Sequence, residues 1–388
     1  MIHVAIDARL PDKGQGGVQQ VIRSLAEGFR LIENSDIKRS WIVYKGTEWW
    51  EGVFPQEDKL IVINPPFGKI SIFVANKAPR LLSRLYPIFS KFKSQKPPFD
   101  DPLSALCVDV VQMPFQDGFV TKLPYIYHPH DLQHEYSPEY FSKSQIKHRN
   151  RVWKQLANGA QIVMAASPLV KNDLEVKWNI SCTKIVILLI PPPTRLVNEI
   201  ETSPITDYLI YPAVFWKHKN HYRLVQAIHI AKKAMPQIQV IFAGATGPEL
   251  KCVKRLSKSL SLNSNIHFWG HVPEREYGAL LKRSRAMIIP SLFEAFSLTV
   301  QDAQQLGVPV ICSDLPTFHY QCSEFASYFD PLDPEDIANT ILTFFETLNS
   351  PNSENTFRQG EINIDTSTSS LALQIQDLYF SCVRLGSD

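Results

Sequence analysis

Two carboxylates, Glu294 and Asp302, bracket a stretch that reads Pro290-Ser291-Leu292-Phe293-Glu294-Ala295-Phe296-Ser297-Leu298-Thr299-Val300-Gln301-Asp302-Ala303. The apolar run before it predicts a strand ending at Pro290, a loop presenting Glu294, and a helix beginning near Ser297 to Thr299. Backbone N–H groups at a helix start, with the helix dipole behind them, bind a diphosphate. The backbone at Phe296, Ser297 and Leu298 is therefore a candidate anion cradle. Asp302 lies about two helical turns beyond Glu294, so one acid could sit at a sugar while the other reaches ribose hydroxyls. An ordinary strand-loop-helix with an acid favouring the dipole explains the same spacing.

Three further clusters carry chemistry. The run Lys217-His218-Lys219-Asn220-His221 follows a predicted strand. A lysine there, Lys219 or Lys217, could face negative charge developing on a leaving group. Gly14-Gln15-Gly16-Gly17 lies between a strand and a helix, where Gly16 and Gly17 let backbone approach a ligand closely. The longer G-x-G-x-x-G pattern is missing after Ile6, which disfavours a dinucleotide-dependent dehydrogenase. His128, His130 and His134 cluster with Asp131 and Glu135, but their spacing fits no standard metal site, and no metal is expected. A histidine after a strand is more often structural than functional. The six cysteines are scattered with no C-x-x-C pair, which favours free thiols over a zinc site or disulfide framework.

The elements that must position these residues follow from patterning. A chain of 388 residues, 44% hydrophobic and 20% charged, suits two globular domains. Its net charge of +2 gives no sign of a nucleic-acid partner. The opening MIHVAID reads as a strand rather than a secretory signal, and no stretch of 18 or more apolar residues could span a membrane, so a cytoplasmic enzyme is expected. Strands at Val4–Ile6, Trp41–Tyr44, Leu60–Ile63, Val108–Gln112, Tyr125–His128 and Ile162–Ala165 alternate with helical stretches. After Pro191-Pro192-Pro193 the alternation resumes at Tyr208–Tyr211, Val240–Ala243, Ile266–Phe268, Ala286–Ile289 and Val310–Cys312. Alternating strands and helices give parallel sheets covered on both faces. The expected class is α/β, with two facing Rossmann-like doubly wound domains and a cleft between them. The expected boundaries are residues 1–190, a linker at 191–206, a second domain at 207–370, and a final helix at 371–388 placed to pack back on the first domain. The polar stretch 349–370 reads as a surface loop.

The segment from Pro290 to Ala303 resembles P-S-x-x-E-G-F-G-L-x-x-x-E-A, the signature of retaining GT-B glycosyltransferases of the large mannosyl- and glucosyltransferase group (glycosyltransferase family 4, group 1). Gly307–Pro316 is similar to that group's G-x-P-V-[VI]-x-S-D-x-P, and the likeness extends to Tyr211–His221, Asn265–Pro273 and Phe329–Pro331. The His130-Asp131-Leu132-Gln133-His134 segment and the Gly16-Gly17-Val18 loop resemble the group's N-terminal motifs. Four positions depart: Ala295 and Ser297 replace glycine, Asp302 replaces glutamate, and Val214 stands where arginine is usual.

The resemblance implies transfer of a hexose, such as mannose or glucose, from a nucleotide-diphosphate sugar to an acceptor hydroxyl with retention. It implies a setting in polysaccharide, lipopolysaccharide or glycolipid synthesis, with no cofactor and no metal. Lys219 would meet the diphosphate together with Gly16, Gly17 and the backbone at Phe296, Ser297 and Leu298, with Lys217 a substitute base. Glu294 would hold donor-sugar hydroxyls, Asp302 the ribose, His271 and Val272 the base, and His130 the transferred sugar or acceptor. A nucleotide-sugar epimerase and a non-catalytic carbohydrate-binding protein remain alternatives on the same fold. Partners would be a nucleotide sugar and a glycan or lipid-linked acceptor. Between Pro65 and Phe99 stand seven basic residues (Lys69, Lys77, Arg80, Arg84, Lys91, Lys93, Lys96) and no acid, interleaved with apolar residues. Residues 69–96 could thus lie reversibly on the anionic inner face of a membrane, or simply pack on the first sheet.

Overall fold

A computed structural model describes residues 1–11, 16–32, 36–47, 50–64, 100–191, 205–349 and 367–386. The chain divides into two units: Met1–Pro193 with Asp365–Asp388, and Thr194–Ile364.

The first unit is built on a parallel sheet of β1 (Ile2–Asp7), β2 (Ile37–Tyr44), β3 (Lys59–Ile63), β4 (Val110–Met113), β5 (Tyr125–Tyr127), β6 (Ile162–Ala165) and β7 (Ile185–Ile187). Their order is β3-β2-β1-β4-β5-β6-β7. The chain starts in the middle, builds outward to β3, then returns to the far side of β1. Strands β4, β5 and β6 are buried along their whole length, as expected where helices cover both faces of a parallel sheet. Helix α1 (Gly16–Arg30) buries Val21, Ile22, Leu25, Ala26 and Phe29, one face at helical spacing. Helix α2 (Pro168–Trp178) starts on Ser167, whose Oγ accepts the Val170 N–H at 3.2 Å, and stops at Asn179 in the left-handed region.

The second unit repeats the plan with β8 (Tyr208–Tyr211), β9 (Gln239–Phe242), β10 (Ile266–Phe268), β11 (Ala286–Ile289), β12 (Val310–Ser313) and β13 (Ala326–Phe329), in the order β10-β9-β8-β11-β12-β13. Its helices are α3 (His221–Ala231), α4 (Leu250–Ser259), α5 (Glu274–Arg283), α6 (Leu298–Gln305), α7 (Pro316–Cys322) and α8 (Pro334–Leu348). The chain then rejoins the first unit as α9 (Thr368–Gly386). This helix lies so close to α1 that a Cβ on Gly28 would come within 2.0 Å of the Thr368 carbonyl oxygen. Its buried Tyr379 hydroxyl donates to Gln112 of β4.

Two local expectations change. Gly16 and Gly17 form the first turn of α1 instead of a loop, and a Cβ at Gly17 would meet nothing within 4 Å. Gly14 and Gln15 lie outside the described residues. Thr368 to Ser370, expected in a surface loop, open α9, where the Ser370 N–H donates to Ser367 Oγ at 3.1 Å. Residues 69–96, for which membrane contact or packing on the first sheet was expected, lie outside the described residues.

Candidate active site

In a doubly wound sheet, ligands bind beyond the carboxyl ends of the strands, where the strand order reverses. In the second unit that point lies between β8 and β11. The loop after β8 carries Lys219 and the loop after β11 carries Glu294. The fold therefore brings together two residues that are 75 positions apart.

Each loop is pinned. Lys217–Lys219 form a single 3-10 turn, and Asn220 follows at φ 56° in the left-handed region, which asparagine tolerates better than most residues. The Asn220 Nδ2 donates to the Pro331 carbonyl at 2.8 Å, and Arg223 Nη1 donates back to Asn220 Oδ1 at 3.1 Å. The Leu292 N–H donates to the His218 carbonyl at 2.7 Å, tying one loop directly to the other. Gly244, after β9, sits so near this bend that a Cβ would lie 1.6 Å from the Ala213 carbonyl oxygen.

Lys219 Nζ and Glu294 Oε1 form a short ion pair, with side-chain exposures of 23% and 11%. Ser291 Oγ donates to the same Oε1 at 2.8 Å. Glu294 Oε2 accepts no hydrogen bond among the described residues, and the ammonium donates only to Glu294. The pair thus keeps an open carboxylate oxygen and spare N–H donors: one acceptor and one cation, both ready for a ligand. The sequence assigned these residues separate duties; in the free protein they hold each other.

The start of α6 corrects a second expectation. Ser297 caps the helix, its Oγ accepting the Val300 N–H at 3.4 Å. Its own backbone N–H, expected to face a diphosphate, donates to Gln321 Oε1 at 2.8 Å, while Gln321 Nε2 donates to the Ser297 carbonyl at 3.0 Å. Thr317 Oγ1 donates to the Glu294 carbonyl at 2.7 Å. Helix α7 therefore clamps the loop from Glu294 to Ser297. First-turn N–H groups have no intrahelical carbonyl, so those of Leu298 and Thr299 are the ones left for an anion. Nothing in the sequence flags Gln321 or Thr317, because their contact with this loop depends on how α7 packs.

Other predicted residues fall less centrally. Asp302, expected to reach a ribose, is only 2% exposed on α6, beside Val300 and Ala303 in the core. Glu294 lies in the loop before α6, so the two acids are not on one helix face. Lys217 and His271 are exposed and Val272 half-buried. His271 and Val272 follow β10, two strands from β8 and so roughly 10 Å from the switch point. Gly270 at φ 75° makes the turn that leads to them.

In the first unit the strand order reverses between β1 and β4. Here the sequence reading missed Asp7 and Arg9. The Arg9 guanidinium grips Asp7 with both arms at 2.7 and 2.6 Å, is 8% exposed, and stacks 4.8 Å from the Phe119 ring centroid. Burial opposes its charge, but Asp7 more than offsets this and holds its pKa above the usual value. His130, after β5, sits at φ 62°, with its Nε2–H donating to the Pro114 carbonyl at 2.9 Å. Burial lowers its pKa to about 4, so at neutral pH the ring is uncharged and Nδ1 is an acceptor. Its neighbour His128, 4.0 Å away between ring centroids, is 1% exposed with neither ring nitrogen hydrogen-bonded among the described residues. Burial, then His130, pushes it well below the usual range. The His134 Nε2–H donates to Asn150 Oδ1 at 2.7 Å, so that ring is committed elsewhere. Among the described residues no group of three or more His, Cys, Asp or Glu is placed to hold a metal ion.

These rings set a pH dependence. His128, His130 and His221 are all held neutral by burial, His221 at about 3. Below the ordinary value of 6.5 the unfolded chain takes up protons that the folded chain refuses. Stability is therefore full above pH 6.5 and falls from there towards pH 4, by up to about 1.4 kcal/mol per pH unit for each fully buried ring. Urea melts at pH 7.5 and 5.5 should show this loss, and His221→Phe should reduce it. An unchanged slope in that variant would mean that the His221 ring titrates normally.

With the geometry in place, comparison with known proteins defines the class. The chain has the GT-B fold. It superposes on Anabaena HepE, solved with UDP and glucose, with a TM-score of 0.66 at 16% identity over 98% of this chain and 100% of that one. WaaG, a glycosyltransferase involved in lipopolysaccharide biosynthesis, gives 0.67 at 15% identity over 97% and 99%. Residues 198–359, most of the second unit, match the model of the family Glycosyl transferases group 1. The O-antigen chain mannosyltransferase B of Escherichia coli is 23% identical over 224 residues, which cover 55% of this chain and 59% of that protein. The chain thus spans a little under three fifths of the length of the curated relatives it matches. No helix among the described residues is long and apolar enough to cross a membrane.

Proposed function

We propose that the protein transfers a hexose from a nucleoside-diphosphate sugar to an acceptor hydroxyl, with retention, in the synthesis of a cell-surface polysaccharide or lipopolysaccharide. The observation that carries this is the Lys219–Glu294 pair at the switch point of the second unit, with an open Oε2 and spare ammonium donors. A diphosphate arriving there competes for Lys219. Its negative charge grows as the glycosidic bond to phosphate breaks, so the ammonium stabilises the transition state more than the ground state. The Leu298 and Thr299 N–H groups and the dipole of α6 add to that field. Glu294, relieved of the lysine, accepts donor-sugar hydroxyls through both oxygens. The lysine supplies the positive charge that a metal would otherwise bring, so this reading needs no metal or other cofactor. In the first unit, neutral His130 offers Nδ1 to a sugar or acceptor hydroxyl.

Retention follows from the motif resemblance, and the polysaccharide setting from the relatives, named for O-antigen mannosyl transfer. Those names concern transfer, which favours it over epimerisation. The test is calorimetric titration with UDP, GDP, ADP and their hexose derivatives, followed by product analysis with the sugar that binds. A ligand at 100 times its dissociation constant raises stability by about 2.7 kcal/mol, so thermal shift serves as a first screen. Absence of binding by every nucleoside diphosphate at millimolar concentration would overturn the reading.

A further inference from the structure

We propose that Tyr211 is a positioning residue whose single hydroxyl sets the distance between Lys219 and Glu294. The proposal rests on the donor-site reading of those two residues; Tyr211 opens the Tyr211–His221 segment, but the sequence gives it no role of its own. Tyr211 ends β8 and is 2% exposed, at the reversal point of the second sheet. Its hydroxyl donates to the Lys219 carbonyl at 2.8 Å and lies 3.3 Å from Ser291 Oγ, which in turn donates to Glu294 Oε1 at 2.8 Å. One phenol thus touches the backbone of the cation and, through one serine, the carboxylate.

Hydrogen counting makes this more than a brace. Tyr211 and Ser291 each own one hydroxyl hydrogen. With the lysine on Glu294, Tyr211 gives its hydrogen to the Lys219 carbonyl and Ser291 gives its hydrogen to the carboxylate. When a diphosphate draws Lys219 away, Tyr211 can turn its hydrogen to Ser291. That leaves a continuous donor chain, Tyr211 to Ser291 to Glu294, to support the carboxylate that has lost its cation. Linked donors polarise one another and hold charge better than isolated ones. No proton changes owner; two hydroxyls rotate. Burial keeps the phenol well above its usual pKa, so it has a hydrogen to give at any working pH.

Tyr211→Phe removes the hydroxyl and keeps the ring against His221 at 4.5 Å and Phe242 at 6.5 Å. Amide hydrogen exchange over residues 213–220 and 290–297 is measured together with calorimetric titration of UDP, GDP and ADP. The variant should exchange about tenfold faster in both loops while the strands of the second sheet keep wild-type protection. The nucleotide that binds the wild type should bind about tenfold more weakly. Ser291→Ala should weaken it comparably, and the double variant should lose little more than the worse single, because both act through one chain. Unchanged exchange in the two loops, or single losses that multiply in the double variant, would overturn the proposal. Lys219→Ala, run in parallel, separates the two levels of the argument. If it leaves nucleotide affinity untouched the donor-site reading fails, while the exchange result still decides the role of Tyr211.

Discussion

Glu294→Gln is expected to lower sugar transfer at least about a hundredfold, a loss of roughly 2.7 kcal/mol of transition-state stabilisation, while free nucleoside diphosphate binds as well as before or better. The asymmetry comes from the ion pair. In the free protein the carboxylate competes for Lys219. An uncharged amide at that position keeps the hydrogen bond from Ser291 Oγ, found at 2.8 Å, but releases the ammonium for an incoming diphosphate. The cost appears only with the sugar attached, because the amide's NH2 cannot accept the hydroxyls that a carboxylate oxygen accepts. Steady-state rates and calorimetry on one preparation check both halves. Turnover within about twofold of wild type would remove Glu294 from the site, and a large loss of nucleotide affinity would show that its charge supports the diphosphate region instead.

Lys219→Ala should weaken nucleoside diphosphate binding by about a hundredfold and lower kcat as well. A charge-assisted hydrogen bond contributes about 1.5–3 kcal/mol, and here the charge it meets increases during reaction. The substitution also strands Glu294, 11% exposed, with Ser291 as its sole hydrogen-bond donor among the described residues. A lower melting temperature is therefore expected, and the double variant with Glu294→Gln should regain much of it. Lys219→Arg is the informative control. It restores charge but puts a rigid fork where a compact ammonium fitted, so it should recover binding more than rate. Nucleotide affinity that survives Lys219→Ala would move the diphosphate to Lys217 or to the α6 amides alone.

Both predictions began as sequence patterns, and the structure changed their terms. Pro290 to Ala303 announced a strand, a loop and a helix start, and β11 and α6 lie where that pattern put them. Local signals of this kind are legible because turn, cap and apolar periodicity act over a few residues. Three four-residue or shorter clues were not read. Strand β7 has only three residues, β13 (Ala326–Phe329) lacks an apolar run, and Asp7-Ala8-Arg9 looks like an exposed turn until the sheet buries it. The burial of Asp302 was not legible for a related reason. Counting residues along a helix gives its angular position, but which side faces the core depends on the sheet it packs against.

By itself, the sequence determined the two α/β halves, the strands of the second sheet other than β13, and the loops that carry Lys219, Glu294 and His130. Those are consequences of short-range stereochemistry and of hydrophobic spacing. Only the tertiary structure decided that Lys219 and Glu294 are partners, that Gln321 occupies the Ser297 amide, and that Tyr211 and Ser291 link the two loops. These pairings join residues 8 to 80 positions apart, and side-chain hydrogen bonds are made over a few ångströms in space without regard to distance along the chain. Strand order settles which loops become neighbours, and reversal of that order between β8 and β11 opens the place where they meet.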